Sequence, residues 1–279
     1  MNDLILVKLG GSAGIDVNLT LDDLAELWPG QRVLFIHGAN AQLDEFMRSQ
    51  GKEPTLVTSS TGQVSRFTDQ GVMDDMLAIY AGRANKRLVE GLQARGVNAV
   101  GITAMDGGIA KGKRKDALRI FENGKPKVLR GDYAGSLSEI DPTLPLLLLD
   151  NGFFPVITPP AVSVNGEAIN VDGDKLALQL ALAVKAHTLI FLSNTAGLLA
   201  DIDDPGSLIR EIDVSNPQSV DHAMDAAGGR MKKKVAAGVG AVEQGIPKVI
   251  FGDARLERPI SQALAGQGTA VVAAVAQGV

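Results

Sequence analysis

Apolar residues follow two rhythms along this chain. In the first, short runs are apolar at nearly every position: Leu4 to Val7, Arg32 to Ile36, Phe154 to Thr158, Thr188 to Leu192 and Lys248 to Phe251, with Asn98 to Ile102 and Thr269 to Val272 completing the set. An alternating strand has one wet face, whereas a strand apolar throughout is covered on both, as in a parallel sheet between layers of helices. In the second rhythm apolar residues recur every three to four positions. This predicts helices over Leu21 to Trp28, Gln42 to Ser49, Gly71 to Ala94, Leu144 to Asn151, Lys175 to Lys185, Ser219 to Ala227, Met231 to Gln244 and Arg258 to Leu264. In the longest, Met76, Ile79, Tyr80, Leu88 and Leu92 form the inner stripe, and Thr68 and Asp69 stand where a cap belongs. Strands and helices alternate, so the fold class is α/β with a mostly parallel, helix-covered central sheet. Two hairpins are expected, Leu118 to Leu129 about Asn123 and Gly124, and Val162 to Asn170 about Asn165 and Gly166. Pro159 and Pro160 mark a candidate boundary, dividing the chain into 1–160 and 161–279.

Polar chemistry gathers at the ends of the strands. The first run leads into Lys8, Leu9, Gly10, Gly11 and Ser12. Open α/β sheets bind ligands at the carboxyl ends of their strands. There glycines let backbone N–H groups approach an anion with no Cβ in the way, and Lys8 adds a fixed positive charge, so phosphate is the guest this turn suits. The second run ends in His37, Gly38, Ala39 and Asn40, and two such turns on neighbouring strands can form one cradle. A polar loop carrying Thr58, Ser59, Ser60, Thr61, Gly62 and Arg66 follows.

Other readings compete. Gly10 and Gly11 equally suit a plain strand-to-helix turn. Gly10 to Gly14 spells G-x-S-x-G, but a hydrolase nucleophile elbow needs an earlier loop for its oxyanion hole, and this run is the first in the sequence. Gly107 to Lys113 fits half of a phosphate-binding Walker loop, yet Arg114 occupies the place of the Mg-binding hydroxyl. Phosphoryl transfer draws the remaining polar residues together. It asks for positive charge on the transferring group, backbone donors and in-line positioning, and little covalent chemistry. Lys8 and one of Lys232, Lys233 and Lys234 could flank that group, with Asp174 holding both ammonium groups. By spacing alone, a solvated helix face and an N-cap carboxylate fit those residues as well.

Composition narrows the chemistry. The 279 residues are 45% hydrophobic and include no cysteine, which excludes disulfides, thiolate catalysis and cysteine-held metals. Three scattered histidines, His37, His187 and His222, lack ligand spacing, so no metal held by the protein alone is expected. There is no apolar run long enough for a membrane span and no secretory leader pattern, so a cytoplasmic protein is expected. The net charge of −5 gives no sign of a nucleic-acid partner. Its distribution is uneven. Lys111, Lys113, Arg114, Lys115, Arg119, Lys125, Lys127 and Arg130 face only Asp116 and Glu122, a local balance of +6 on an otherwise acidic body. K-G-K-R-K lacks the interleaved aromatics of a stacking platform, since only 4% of residues are aromatic.

Taken together, Lys8-x-Gly-Gly, His37-Gly38, Arg66 within S-R-F-T-D, Asn170-x-x-x-Asp174 after P-P-A-V-S, L-S-N-T-A-G-L-L at 192–199 and G-R-M-K-K-K from Gly229 resemble the amino acid kinase family over essentially the whole chain. The resemblance runs to its acetylglutamate kinase branch. V-N-A-V-G-I-T-A-M-D-G-G, K-G-K-R-K, E-N-G-K-P-K-V and R-G-D-Y-A-G-S are similar to the members that phosphorylate 2-aminoadipate or glutamate attached to a small acidic amino-group carrier protein of the LysW type.

The resemblance implies a three-layer αβα sandwich in two lobes, 1–160 binding the amino-acid substrate and forming a homodimer, 161–279 binding nucleotide. It implies ATP, with Mg²⁺ carried by the nucleotide. Lys8 and Lys234 would stabilise the transition state and Asp174 would orient them; Lys234 is chosen because the family's lysine follows the methionine, here Met231, by three. Gly38, Ala39, Arg66 and Asn170 would hold the substrate, and Gly10, Gly11, Asn194, Gly197, Leu198, Ala227 and Gly228 would lie around phosphate and nucleotide. The basic stretch would dock the acidic carrier; a kinase of free N-acetylglutamate is the alternative. Ala39 departs from the family's H-G-G and would disturb the second turn if that position required a positive φ.

Overall fold

A computed structural model describes residues 3–58, 64–115, 117–122 and 125–273, without the side chains of 119, 121, 122, 125, 126 and 230. Its spine is an eight-stranded sheet in the order Glu211–Asp213, Thr269–Val272, Lys248–Asp253, Thr188–Ser193, Leu4–Leu9, Arg32–His37, Phe154–Thr158, Ala99–Thr103. Every neighbouring pair is parallel except Lys248–Asp253 with Thr269–Val272. The first strand is central, as its pattern requires: Leu4 and Leu6 enter one core while Ile5, Val7 and Leu9 enter the other. Leu176, Leu180, Val235 and Val239 cover the first face; Leu21, Leu24, Leu88, Leu92 and Ile260 cover the second. This is the expected three-layer αβα sandwich.

Local chemistry sets most boundaries. Asp16 accepts from the Asn18 backbone and starts the first helix at Val17, a turn earlier than its apolar pattern suggests. Asp69 accepts from Val72 N–H and opens the long helix, which runs from Gln70 to Gln93 with a π-helical middle, Leu77–Ala84. Asp172 accepts from Asp174 and Lys175 and opens the helix Gly173–Ala183. The Val162 to Asn170 hairpin forms as Ala161–Ser163 with Ala168–Ile169.

Two features depart from the sequence reading. The polar loop is partly a ribbon, Leu56–Thr58 paired with Val64–Arg66; Ser59, Ser60, Thr61 and Gly62 lie outside the described residues. The basic hairpin, by contrast, forms as expected: Ala117–Glu122 pairs with Lys125–Arg130, Leu118 opposite Leu129, and its turn residues Asn123 and Gly124 also lie outside. A second sheet, in the order Ala168–Ile169, Ala161–Ser163, Ala110–Arg114, Gly135–Ile140, is legible in the sequence only as far as its first two strands, the hairpin above. Here Gly112 and Gly135 pack directly under Ile169: a Cβ on Gly135 would sit 2.6 Å from its Cδ1. Part of the core contact is made where a side chain is missing, so the apolar pattern of Ala110–Arg114 and Gly135–Ile140 is weak, although Ala110, Leu137 and Ile140 also pack on the core. The cis peptide Pro159-Pro160 lies where the chain leaves the main sheet for this smaller one. Among the described residues no helix is long and apolar enough to cross a membrane.

Candidate active site

Lys8 is the next-to-last residue of the central strand, paired in register with Phe191 on one side and Ile36 on the other. Its ammonium group lies 2.5 Å from Asp174 Oδ1, and its side chain is only 12% exposed. Asp174 comes from the first turn of the helix capped by Asp172, so the cap and the ion-pair carboxylate are two residues apart and distinct. The ammonium is thus fixed at the carboxyl edge of the sheet by a partner on a different element.

The two glycine turns are in direct contact. A Cβ on Gly11 would lie 2.5 Å from Ala39 N and 2.7 Å from Asn40 N, so the second loop occupies the space a side chain would need. Ala41 N–H donates to Gly11 O at 2.9 Å. One expectation is corrected at Gly38, and the same holds at Gly10. Their N–H groups donate to Leu9 O at 3.1 Å and Leu192 O at 2.9 Å, extending the sheet ladders by one residue. What these glycines offer is close approach. Ala39 is N-cap of the helix Asn40–Ser49 with φ −145°, ψ 32°; its φ is negative, so the position does not demand the left-handed conformation that favours glycine.

His37 is fully enclosed; burial, the largest influence, lowers its pKa to about 4, against an opposing contact with the Gly38 backbone. The neutral ring takes a hydrogen bond at Nε2 from Asn85 Nδ2, 3.1 Å away. Arg66 is largely buried and ion-paired with Asp44, with Met47 Sδ 3.5 Å from its Nη1. Asn170 Nδ2 donates to Thr68 Oγ1 at 2.9 Å, its N–H to Tyr133 O at 2.8 Å. Thr68 N–H and Ala134 N–H both donate to the buried Asp132 carboxylate at 3.1 and 3.0 Å. Arg66 and Asn170 therefore belong to one network through Thr68, two residues beyond Arg66. Sequence reasoning missed Asp44, Asp132 and Asn85; only Asp132 stood in a quoted motif.

On the other side of the central strand, Leu198 N–H donates to Thr269 Oγ1 at 2.8 Å, and Gly197 adopts φ +132° with no room for a Cβ, which would lie 2.7 Å from the same hydroxyl. These bonds pin 194–199 beyond the end of Thr188–Ser193; Asn194 is exposed there. Ala227 is buried and Gly228 is N-cap of the helix Gly229–Glu243, which packs against the helix carrying Asp174. On that helix Lys234 is half-buried, whereas Lys232 and Lys233 are exposed.

The basic stretch is divided. Lys111, Lys113 and Arg114 lie on Ala110–Arg114 of the second sheet; Lys127 and Arg130 lie on the ribbon. Lys113, Lys115, Lys127 and Arg130 are exposed, and Lys111 pairs with Glu139 at 3.5 Å. The side chains of Arg119 and Lys125 lie outside the described residues. Arg114 is a correction: its guanidinium turns inward, 2.6 Å from Glu167 and 3.5 Å over the Tyr133 ring, so it braces the fold instead of joining the exposed face. Leu56, Val64 and Val128 are exposed apolar residues on the two adjacent ribbons.

A model of the amino acid kinase family matches residues 3–252. Over 96% of its length the chain is 48% identical to a LysW-aminoadipate kinase of Deinococcus radiodurans, covering 91% of that protein. It is 45% identical to a LysW-aminoadipate kinase of Thermus thermophilus, again over 96% of its own length and all of the relative's. Among solved structures, N-acetylglutamate synthase from Neisseria gonorrhoeae matches 98% of the chain with a TM-score of 0.77 at 22% identity. The chain spans 60% of that protein, and the likeness is one of fold.

Proposed function

The chain belongs to the amino acid kinase family, and from that premise we propose that it transfers the γ-phosphoryl group of ATP to the side-chain carboxylate of 2-aminoadipate carried on a small acidic amino-group carrier protein. The product is an acyl phosphate of lysine biosynthesis, with glutamate a possible second substrate on the arginine side, in the cytoplasm. The chemistry rests on one observation, the Lys8–Asp174 pair beside the joined glycine loops. The substrate rests on the near-full-length likeness to two kinases named for LysW-aminoadipate.

The acceptor carboxylate is ionised at neutral pH, so no general base is needed. One of its oxygens forms a bond to the γ-phosphorus as the bond to the β–γ bridging oxygen breaks, and ADP leaves with that electron pair. Lys8 neutralises the transferring group from the sheet side and Lys234 from the helix side, while Asp174 keeps the Lys8 ammonium in place. The Gly11 N–H and the positive end of the helix Asn40–Ser49 complete the cradle. Asn194, Gly197, Leu198, Ala227 and Gly228 would hold the nucleotide, and the Mg²⁺ it carries would add positive charge at the phosphates. Arg66 and Asn170 hold the α-carboxylate end of the substrate. Residues 1–160 thus handle the amino acid and pair two copies, and 161–279 handle nucleotide.

Lys113, Lys115, Lys127 and Arg130 are exposed, as is Val128 on the ribbon, and an exposed positive stretch suits an acidic protein partner. The test is to incubate the enzyme with ATP and carrier-linked 2-aminoadipate and trap the product with hydroxylamine. A hydroxamate on the carrier is expected; ATP consumption without one would overturn the acyl-phosphate assignment.

A further inference from the structure

We propose that the π-helical turn in the long helix is a positioning device for the loop His37–Asn40, acting through Tyr80 and Asn85. The inference rests on the reading above, that this loop forms half of the anion cradle. In an α-helix two residues five apart point roughly 140° away from each other. In a π-turn the backbone bonds run from i to i+5, which places such residues one above the other. Tyr80 and Asn85 are five apart, at and just beyond the π-segment Leu77–Ala84, and both are buried.

Each ties down one end of the loop. Asn85 Nδ2 donates to His37 Nε2 at 3.1 Å and to Val156 O at 3.0 Å, so the loop's first residue is fixed to the helix and to the neighbouring strand together. Asn85 Oδ1 is in turn met by Lys86 Nζ at 3.3 Å, and that ammonium donates to Gly101 O at 2.7 Å. At the far end, the Tyr80 hydroxyl donates to Asn40 Oδ1 at 2.8 Å. Burial raises the Tyr80 pKa to about 12, partly offset by a backbone hydrogen bond from Ala39, which keeps the phenol a donor at any working pH. Because Gly11 touches Ala39 and Asn40 with no clearance, a shift in this loop moves the first loop as well. A helix that merely packed would bury apolar residues at these positions. Here the change of helical register delivers two polar groups to one loop.

Tyr80→Phe removes only the hydroxyl, and Asn40→Ala only its partner. Each single variant is expected to lower kcat on carrier-linked 2-aminoadipate about tenfold, since small misplacements of positioned groups carry penalties of that order. The thermal midpoint should hold within a few degrees. The double variant should be no worse than the poorer single one, because both changes cut the same tie. Multiplying defects, or Tyr80→Phe with full kcat, would overturn the inference. The same cycle read on ATP affinity by calorimetry needs no acceptor, so wild type lacking kinase activity would count against the proposed reaction, and non-coupled ATP affinities against this one.

Discussion

Lys8 Nζ and Asp174 Oδ1 stand 2.5 Å apart, one on the central strand and the other in the first turn of a helix laid over its end. A lysine held in this way loses no rotamer freedom when a phosphoryl group arrives. Asp174→Asn keeps the shape and removes the charge. We expect kcat to fall at least about 10²-fold with KM for ATP little changed, consistent with loss of an electrostatic contribution. Lys234→Ala should match it. Lys232→Ala and Lys233→Ala, which alter exposed side chains, should stay within about twofold. Equal losses at all three lysines would point to a general basic field instead of one group.

Gly11→Ala tests the contact between the loops. The added methyl would lie 2.5 Å from backbone atoms of Gly38 and Ala39, which cannot rotate away. We expect a stability cost of about 1–3 kcal/mol from overpacking and a loss of kcat/KM far beyond what that cost explains. Gly14→Ala makes a useful contrast: it has open space but a φ of +82°, so it should cost stability alone.

His37 gives the fold a pH dependence of known sign. Its folded-state pKa, about 4, lies below the ordinary 6.5, so as pH falls the unfolded chain takes up the proton first. The contribution is fully present above pH 6.5 and drains away between 6.5 and about 4, worth on the order of 3 kcal/mol in total. Urea titrations at pH 7.5, 5.5 and 4.5 should show this slope, and His37→Gln should flatten it. Asp253 has the same sign: burial pushes its pKa up, but hydrogen bonds and charge from Arg255 outweigh this and hold it below the ordinary carboxylate value. Its loss therefore falls at lower pH and leaves the His37 window clear.

Asp23 is wholly buried on the first helix and accepts from Ile260 N–H at 2.6 Å, Ser261 N–H at 2.8 Å and Ser261 Oγ at 2.5 Å. It caps a helix near the other end of the chain. Asp23→Ala leaves three donors unmet and should cost about 3–5 kcal/mol, read as a lower urea midpoint. Activity per folded molecule should be unchanged.

The layered sheet was legible because each strand buries both faces, and that forces uninterrupted apolar runs. Lys8 and Gly11 stood out because they follow an apolar run at a strand's carboxyl end, and the structure sets Lys8 against Asp174 and Gly11 against the second turn. What escaped was signalled by no side chain or by an ambiguous one. The second sheet closes through Gly112 and Gly135, where absence of a Cβ makes the contact. Tyr80 read as one more apolar stripe residue, and Asn85 left no mark in a pattern of 3.6, because the helix changes register where they lie. Arg114 read as one of eight equivalent charges. Its inward turn depends on Glu167 and Tyr133, which only the fold brings near. The family resemblance, by contrast, was complete enough in its ordered motifs to be confirmed by the match over 3–252.

The most direct test of the central claim compares kcat/KM for 2-aminoadipate on its carrier with that for free N-acetylglutamate, each with ATP, at low and high salt. The account predicts turnover confined to the carrier-linked substrate, falling as salt screens the exposed lysines and Arg130. Efficient, salt-insensitive phosphorylation of the free acetylated amino acid would contradict it, and would return the basic ribbon to an ordinary charged surface.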